Sequence, residues 1–330
     1  MSTTQTDQLQ RAAEALDAAS EVALACHINP DPDALGSMIG LALFLRDRRK
    51  KVVASFGNSP FELPRWVEAL PGHEAVVPPD EFPKRPPVLV TLDCASLDRL
   101  GALVGTAQKA AEVIWIDHHV SNEGLGTIPV IDPKASSTAE MVYRLMREMG
   151  GDIPADAAAC LYAGVVTDTG RFQYEATSPE TLRLAADLRT HAFDHARLAQ
   201  ALFEDNSVAY LRVLATALGR LRLDEAASLV WTYLTQEDVA EVGIPMAETD
   251  DLIDAVRTAR EADVAAVFKQ QRDARFKVSM RSRGGHDVAK VAADRGGGGH
   301  RLAAGYTGTA SLEESARDLL GALEGARTPA

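Results

Sequence analysis

Through most of the first half of the chain, short apolar runs alternate with stretches whose apolar residues recur every three or four positions. This is the rhythm of a parallel α/β sheet. Residues 22–28 and 51–56 read as strands, and the compact runs at 87–92 and 113–116 suit buried central strands. The spacing predicts an amphipathic helix over 34–48 and another over 97–110. Further helices are expected over 136–149, 154–166 and 179–190, each opened by a capping residue or a Pro in its first turn. From 194 to 222 the pattern stays helical without a strand signal and reads as a connecting arm. A second α/β unit follows, with a strand at 228–234, a helix at 247–259 and strands at 262–268 and 276–281. A short helix at 287–295 then runs into Gly296-Gly297-Gly298-Gly299-His300, a strand near 303–306 and a last helix at 312–323. The expected organisation is a parallel-sheet α/β domain over 1–190, a helical linker over 191–224 and a smaller α/β domain over 225–330.

Composition narrows the partners. With 46% hydrophobic and 25% charged residues in 330, the chain has the balance of a soluble globular protein and can bury a core without staples. Aromatics are only 5%, so that core must rest on Ala, Leu and Val. A net charge of -13 argues against tight binding of long nucleic acid, where many phosphates must be neutralised by Lys and Arg. It leaves room for a small anionic substrate in a locally positive, metal-loaded pocket. Three cysteines, Cys26, Cys94 and Cys160, make no disulfide framework. The polar amino terminus lacks the apolar core of a signal peptide, and the apolar stretch at 34–45 is too short to span a bilayer. A reducing cytoplasm and no membrane partner are the expectations.

The polar residues that interrupt the pattern fall at strand ends. In open α/β sheets ligands bind beyond the carboxyl ends of the strands. The first strand runs into His27-Ile28-Asn29-Pro30-Asp31-Pro32-Asp33, a loop stiffened by two prolines and Asn29. Asp31 and Asp33 suit two neighbouring cations; Asp33 equally suits the N-cap of the following helix, and both readings stand here. The strand at 88–92 ends in Asp93, and that at 113–116 ends in Asp117-His118-His119. A carboxylate beside a metal-ligating imidazole commonly orients it. The apolar helix over 157–166 ends in Thr167-Asp168-Thr169-Gly170, where an ionised Asp is costly unless paired or metal-bound. His27, Asp31, Asp33, Asp93, His118 and Asp168, with Asp117 and His119 beside them, thus converge on one sheet edge.

Carboxylates with two imidazoles and no thiolate suit Mn²⁺, Mg²⁺ or Co²⁺ better than structural zinc. Cys26 and Cys94 are expected to alternate away from their neighbours and pack as small apolar residues. Six ligands exceed one ion with an open position. They fit two ions about 3.5–4 Å apart sharing a carboxylate, the arrangement used for in-line displacement at phosphorus. In the second domain, consecutive glycines let backbone N–H groups approach a phosphate, or simply stop a helix; Arg281 and His300 nearby tip the reading toward a phosphate grip. His73, His191, His195 and His286 have no clustered partners and are expected at the surface.

Taken in order, the motifs at His27 to Ser37, Asp93, Asp117-His118-His119 and Thr167-Asp168-Thr169-Gly170 resemble those of the DHH phosphoesterases. Gly296 to His300 with Ala303-Ala304-Gly305 resemble the type-1 DHH-associated domain, so the likeness covers nearly the whole chain. Within the family the chain is similar to the bifunctional oligoribonuclease and pAp phosphatase group. The resemblance implies a Mn²⁺-dependent phosphoesterase, Mg²⁺ or Co²⁺ being alternatives, that degrades dinucleotides and short oligoribonucleotides and converts pAp to AMP. A phosphodiesterase for c-di-AMP or linear pApA, and a non-catalytic nucleotide sensor, are the other readings. It further implies one ion on His27, Asp31 and Asp93 and another on Asp33, Asp93, His118 and Asp168, with Asp93 bridging. Asp117 would orient His118, and His119 would sit beside the transferring phosphoryl group as donor or acid. Arg281, Gly297, Gly298, Gly299 and His300 would bind substrate. Short nucleotides are the expected partners, long duplexes are not, and a homodimer is left open. Arg295, where the family often has an aromatic, and Glu175, where it tends to have Asn, bear on substrate preference.

Overall fold

The protein is described here by a computed structural model covering residues 3–122 and 124–326. It divides into two compact units, Met1–Asp205 and Asn206–Ala330.

Five strands form the sheet of the first unit: β1 (Glu21–Cys26), β2 (Lys51–Phe56), β3 (Val88–Leu92), β4 (Glu112–Asp117) and β5 (Ile128–Ile131). All run parallel in the order β2-β1-β3-β4-β5. The central strands are apolar over most of their length because helices cover both faces. Those helices are α1 (Thr3–Ala18), α2 (Pro32–Asp47), the four-residue α3 (Val104–Ala107), α4 (Thr138–Met149), α5 (Ala155–Asp168), α6 (Pro179–Leu188) and α7 (His195–Phe203). Strand β5, absent from the apolar pattern, is an Ile-Pro-Val-Ile segment whose Pro129 is tolerated because the strand lies at the sheet edge. The polar amino terminus is helical too. It buries Leu9, Ala12, Ala13 and Leu16, one stripe at helical spacing. The single helix expected over 97–110 breaks into a 3₁₀ segment, Leu97–Leu103, and α3. Gly101 causes the break: its φ is 53°, and a Cβ there would lie 2.5 Å from the Gly57 carbonyl oxygen.

Helices α2 and α5 cross in close contact. A Cβ on Gly36 would meet the Cys160 carbonyl oxygen at 2.4 Å, and one on Gly164 would meet Asp33 Oδ1 at 2.6 Å. This approach brings the start of α2 and the end of α5 together beside the strand ends. All three cysteines are free and buried.

The second unit holds a six-stranded mixed sheet in the order β10-β11-β9-β8-β7-β6. Its strands are β6 (Arg222–Asp224), β7 (Leu229–Leu234), β8 (Val264–Gln270), β9 (Phe276–Ser282), β10 (Gly298–His300) and β11 (Ala303–Thr307). Only β7 and β8 pair in parallel. On one face α11 (Val288–Ala293) and α12 (Leu312–Gly325) pack over Leu229, Phe268, Val278 and Met280. On the other, α8 (Val208–Gly219), α9 (Gln236–Val242) and α10 (Leu252–Val256) cover Val230, Ala265 and Val267. The helical stretch read as a connecting arm is two helices, interrupted before Ser207, whose side chain accepts from the Tyr210 N–H. Helix α7 buries Leu198 in the core of the first unit, and α8 buries Val213 and Ala217 in that of the second.

Candidate metal centre

Strand register builds the site. Leu92 aligns with Cys26 on one side and with Ile116 on the other, so His27, Asp93 and Asp117 follow at one level across three adjacent parallel strands. The level lies at the carboxyl end, where the chain leaves β1 toward β2 on one side and β3 lies on the other, the crevice in which open α/β sheets bind ligands. Asp93 adopts φ 59°, a left-handed conformation that Asp tolerates better than most residues. Its N–H donates to the Ile116 carbonyl at 3.0 Å, which fixes the turn.

Each expected residue can be placed. Asp31, rather than Asp33, is the N-cap of α2, accepting from the Ala34 N–H at 2.9 Å, with Pro32 in the first turn. Asp33 instead reaches across to α4. Its Oδ2 accepts from the Thr138 N–H at 2.7 Å and its Oδ1 from the Ala139 N–H at 2.9 Å. A buried carboxylate at a helix amino terminus is stabilised by those N–H groups and the dipole. His27 Nε2 lies 3.4 Å from Asp93 Oδ2 and 3.6 Å from Asp31 Oδ2. His118 Nε2 lies 3.3 Å from Asp168 Oδ2 and 3.7 Å from Asp93 Oδ1. The two oxygens of Asp93 therefore face two different donor sets.

Asp117, expected to orient His118, holds its other neighbour. Its Oδ1 accepts from His119 Nδ1 at 2.7 Å, while its Oδ2 accepts from Asn122 at 2.7 Å. His118 Nδ1 is 3.3 Å from the Ala135 carbonyl oxygen, which takes the orienting role. Adjacent residues at a strand end point in different directions, so only one of the two imidazoles can meet a given carboxylate this closely.

Three contributors were not anticipated. Thr138 donates its hydroxyl to Asp93 Oδ1 at 2.8 Å. Arg99 approaches His27 Nδ1 at 3.0 Å. Asn122 braces Asp117. The one sequence trace of the first is the polar run Ser136-Ser137-Thr138 heading an apolar helix; all three side chains are buried. Arg99 and Asn122 left no comparable mark.

Electrostatically the site is over-supplied with carboxylates. Burial, then the charges of Asp93 and Asp168, pushes the Asp33 carboxyl well above its usual range. Burial, then Asp93 and Asp31, does the same to Asp168. Asp93 behaves oppositely: burial alone would raise it, but the His27 hydrogen bond and the His119, His27 and His118 charges hold it below the ordinary value. Burial pulls His27 down, yet hydrogen bonds to Asp31 and Asp93 override it and raise the imidazolium to about 10. His119 follows the same logic: burial is outweighed by Asp117 and Asp93, and the group rises to about 9. His27, Asp31 and Asp93 bring donor atoms within 4.8 Å of one another, and so do Asp33, His118 and Asp168. The oxygen-rich donor set fits divalent cations.

In the second unit Arg281, Ala303 and His300 align across β9, β11 and β10, so Arg281 and His300 leave the same face of the sheet. The glycine run is a helix stop, with Gly296 at φ 72°, followed by an edge strand rather than a loop. A Cβ at Gly297 would lie 2.2 Å from the Gly305 carbonyl oxygen, which is why β10 can close on β11 only without side chains there. Gly298 faces open space. Arg295 forms an ion pair with Asp318 at 2.5 Å. His286 is not at the surface as expected: it is buried, with Nδ1 2.7 Å from Asp263 Oδ2, a carboxylate its sequence neighbourhood does not reveal.

Comparison with known proteins bears on this geometry. Residues 21–165 match the DHH family, N-terminal domain, and residues 212–326 match the DHHA1 domain. The bifunctional oligoribonuclease and PAP phosphatase NrnA of Thermus thermophilus is 35% identical over 304 residues, covering 91% of this chain and 88% of that protein. The Bacillus subtilis protein of the same name is 28% identical over 283 residues, covering 84% and 86%. An exopolyphosphatase-related protein from Bacteroides fragilis has a solved structure with TM-score 0.88 and 25% identity, over 97% of this chain and 96% of that one.

Proposed function

The chain belongs to the DHH family of phosphohydrolases, with a DHHA1 domain after its DHH domain, and from that membership and the centre above we propose that it hydrolyses dinucleotides and short oligoribonucleotides to mononucleotides and converts pAp to AMP. One observation carries the reading: Asp93 turns one oxygen to His27 and the other to His118. That is the disposition a bridging carboxylate needs.

In this reading His27, Asp31 and Asp93 hold one divalent cation, and Asp33, Asp93, His118 and Asp168 hold a second, with Mn²⁺ the ion of choice and Mg²⁺ or Co²⁺ substitutes. When bound, such ions supply Lewis acidity toward a phosphoryl oxygen and ease ionisation of an attacking water. The protein's own groups do the rest. Asp117 keeps His119 Nδ1 engaged and stabilises the imidazolium, so the proton His119 gives to a leaving oxygen sits on Nε2. Thr138 fixes the Asp93 carboxylate plane. Arg281 and His300, on one sheet face with no side chain at Gly298 beside them, bind a phosphate or base of the substrate. The acidic chain, at -13, favours substrates with few phosphates.

The test uses full-length, metal-stripped protein with Mn²⁺, Mg²⁺ or Co²⁺ added back. Substrates are pAp, a 5′-phosphorylated dinucleotide, a longer RNA and a cyclic dinucleotide, with Asp93→Asn as the blank. Mononucleotide from the dinucleotide and AMP from pAp are expected, fastest with Mn²⁺. Cleavage of the cyclic dinucleotide alone would replace this substrate class, and nucleotide binding without turnover on any substrate would overturn catalysis itself.

A further inference from the structure

An arginine withdrawn from bulk water normally has an acceptor. Other half-buried guanidiniums of this chain follow that rule: Arg46 donates to the Val52 carbonyl, Arg144 to Asp132 and Glu140, Arg220 to Asp238, and Arg295 to Asp318. Arg99 departs from it. It is half-buried beside the carboxylates of the candidate metal centre, yet among the described residues no carboxylate or carbonyl oxygen accepts from its side chain.

Its one polar neighbour cannot serve as acceptor. Arg99 Nη2 lies 3.0 Å from His27 Nδ1, but that nitrogen is also 2.8 Å from the Ile28 carbonyl oxygen. A carbonyl only accepts, so Nδ1 carries a hydrogen and donates there, while a guanidinium only donates. The other ring nitrogen, Nε2, faces Asp31 and Asp93. Arg99 therefore stands at the nitrogen turned away from those carboxylates. A cation serving only to balance them would pair with one.

The backbone beneath this side chain is preset. The Arg99 carbonyl accepts from the Ile28 N–H at 2.8 Å, and the Ala102 N–H donates to the Gly57 carbonyl at 3.0 Å. The Asn29 N–H donates to Asn58 Oδ1 at 2.7 Å, and Asn58 Nδ2 returns a bond to Asn29 Oδ1 at 2.9 Å. The loops that follow β1, β2 and β3 are thus fastened to one another. A donor group is held at the rim of the centre before anything binds, which lowers the ordering cost of binding.

We propose that Arg99 is a substrate-binding residue whose guanidinium takes a phosphate other than the one being hydrolysed. The assignment extends the phosphohydrolase reading above, on which it rests, by naming the substrates it favours. A guanidinium presents paired N–H groups that match two phosphate oxygens. Because the His27 ring stands between Arg99 and the carboxylates, an anion on Arg99 is distinct from the phosphoryl group at the centre. pAp and a 5′-phosphorylated dinucleotide each carry such a second phosphate. Adenosine 3′-monophosphate and an unphosphorylated dinucleotide do not.

Those four compounds, as two matched pairs, test the assignment on the full-length chain with Mn²⁺. Arg99→Ala should lower kcat/KM at least about tenfold on the member of each pair that has the second phosphate, the loss of one charge-assisted contact, and much less on the other member. Arg99→Lys, which keeps the charge without the fork, should recover part of that loss. Mn²⁺ stoichiometry by calorimetry and the circular dichroism spectrum should stay those of the wild type. Equal losses on both members of each pair, or lost Mn²⁺ binding, would mean that Arg99 only supports His27, and either result overturns the proposal. So does an Arg99→Ala variant as fast as the wild type on the members with the second phosphate. Each of these failures leaves wild-type turnover, and with it the hydrolase reading, in place. A wild-type chain inactive on all four compounds overturns both.

Discussion

The two units treat their polar residues in opposite ways. In the first, His27, Asp33, Asp93, Asp117 and His118 are buried at the end of a largely apolar parallel sheet; His27, Asp93 and His118 meet one another, Asp33 caps a helix amino terminus, and Asp117 holds His119 and Asn122. In the second, Arg281 and His300 are half-buried and Gly297, Gly298 and Gly299 are exposed on an open sheet edge. Burying that many ionisable groups is costly unless their charges are matched, so the first set is over-determined: removing one member leaves its partners uncompensated. The second set is half-buried or exposed, so altering one of its members leaves a smaller desolvation cost behind. One arrangement suits chemistry that tolerates no misplacement, and the other suits recognition that can be tuned piece by piece.

Asp93→Asn should break this contrast most visibly. It removes the negative charge that the two donor sets share and should lower kcat by roughly 10³-fold or more. Calorimetric Mn²⁺ titration should lose stoichiometry, while circular dichroism stays native. Near-normal turnover in the folded variant would remove Asp93 from the centre. Next comes Asp117→Asn, which spares every proposed ligand and alters only the group that holds His119. A loss of about 10–100-fold is expected, with the basic limb of the pH–rate profile moved to lower pH, since the carboxylate raises His119. An unmoved profile would mean that Asp117 is merely structural.

For the second unit, Arg281→Ala should raise KM about tenfold with kcat and metal content little changed, the loss of one charge-assisted contact. Lost metal binding in this variant would contradict the separation of roles drawn between the units. The smallest effect sharpens the electrostatics of the first. His27 and His119 are raised above the free imidazole value, so their protonated forms stabilise the metal-free fold. That stability is fully present below about pH 6.5 and is lost as pH climbs through about 9 and 10. Raised Asp33 and Asp168 act in the same direction, because the folded state again binds the extra proton. The melting temperature of metal-free protein should therefore fall between pH 7 and pH 10, and added Mn²⁺ should reverse the trend by taking the protons' place. Calorimetry at both pH values with and without Mn²⁺ decides it; a metal-free melting temperature that rises with pH would refute the assignment.

Much of the centre was legible because its residues sit beside elements that announce themselves. His27, Asp93 and the Asp117-His118-His119 run each follow an apolar strand, and parallel register then brings strand ends to one level. The second unit was less legible. Its glycine run reads equally as helix stop, loop or strand, because glycine carries no side chain to reveal a pattern. Only pairing of β10 with β11 selects the strand. The four-residue β5 and the broken helix near Gly101 were hidden for a related reason: both are decided by a neighbour's backbone, not by their own periodicity.

What the sequence determined alone, then, is the alternation that makes a parallel sheet and the chemical type of each strand-end residue, since both follow from local periodicity and the fixed geometry of strands. What only the tertiary structure decided is who holds whom. Asp33 serves α4, whose first residues lie 105 and 106 positions away; Thr138 binds Asp93 across 45; Arg99 meets His27 across 72. Such pairings depend on how α2, α4 and α5 close over the sheet. Hydrogen bonds, unlike apolar contacts, are set by distances of a few tenths of an ångström that no spacing rule along the chain can specify.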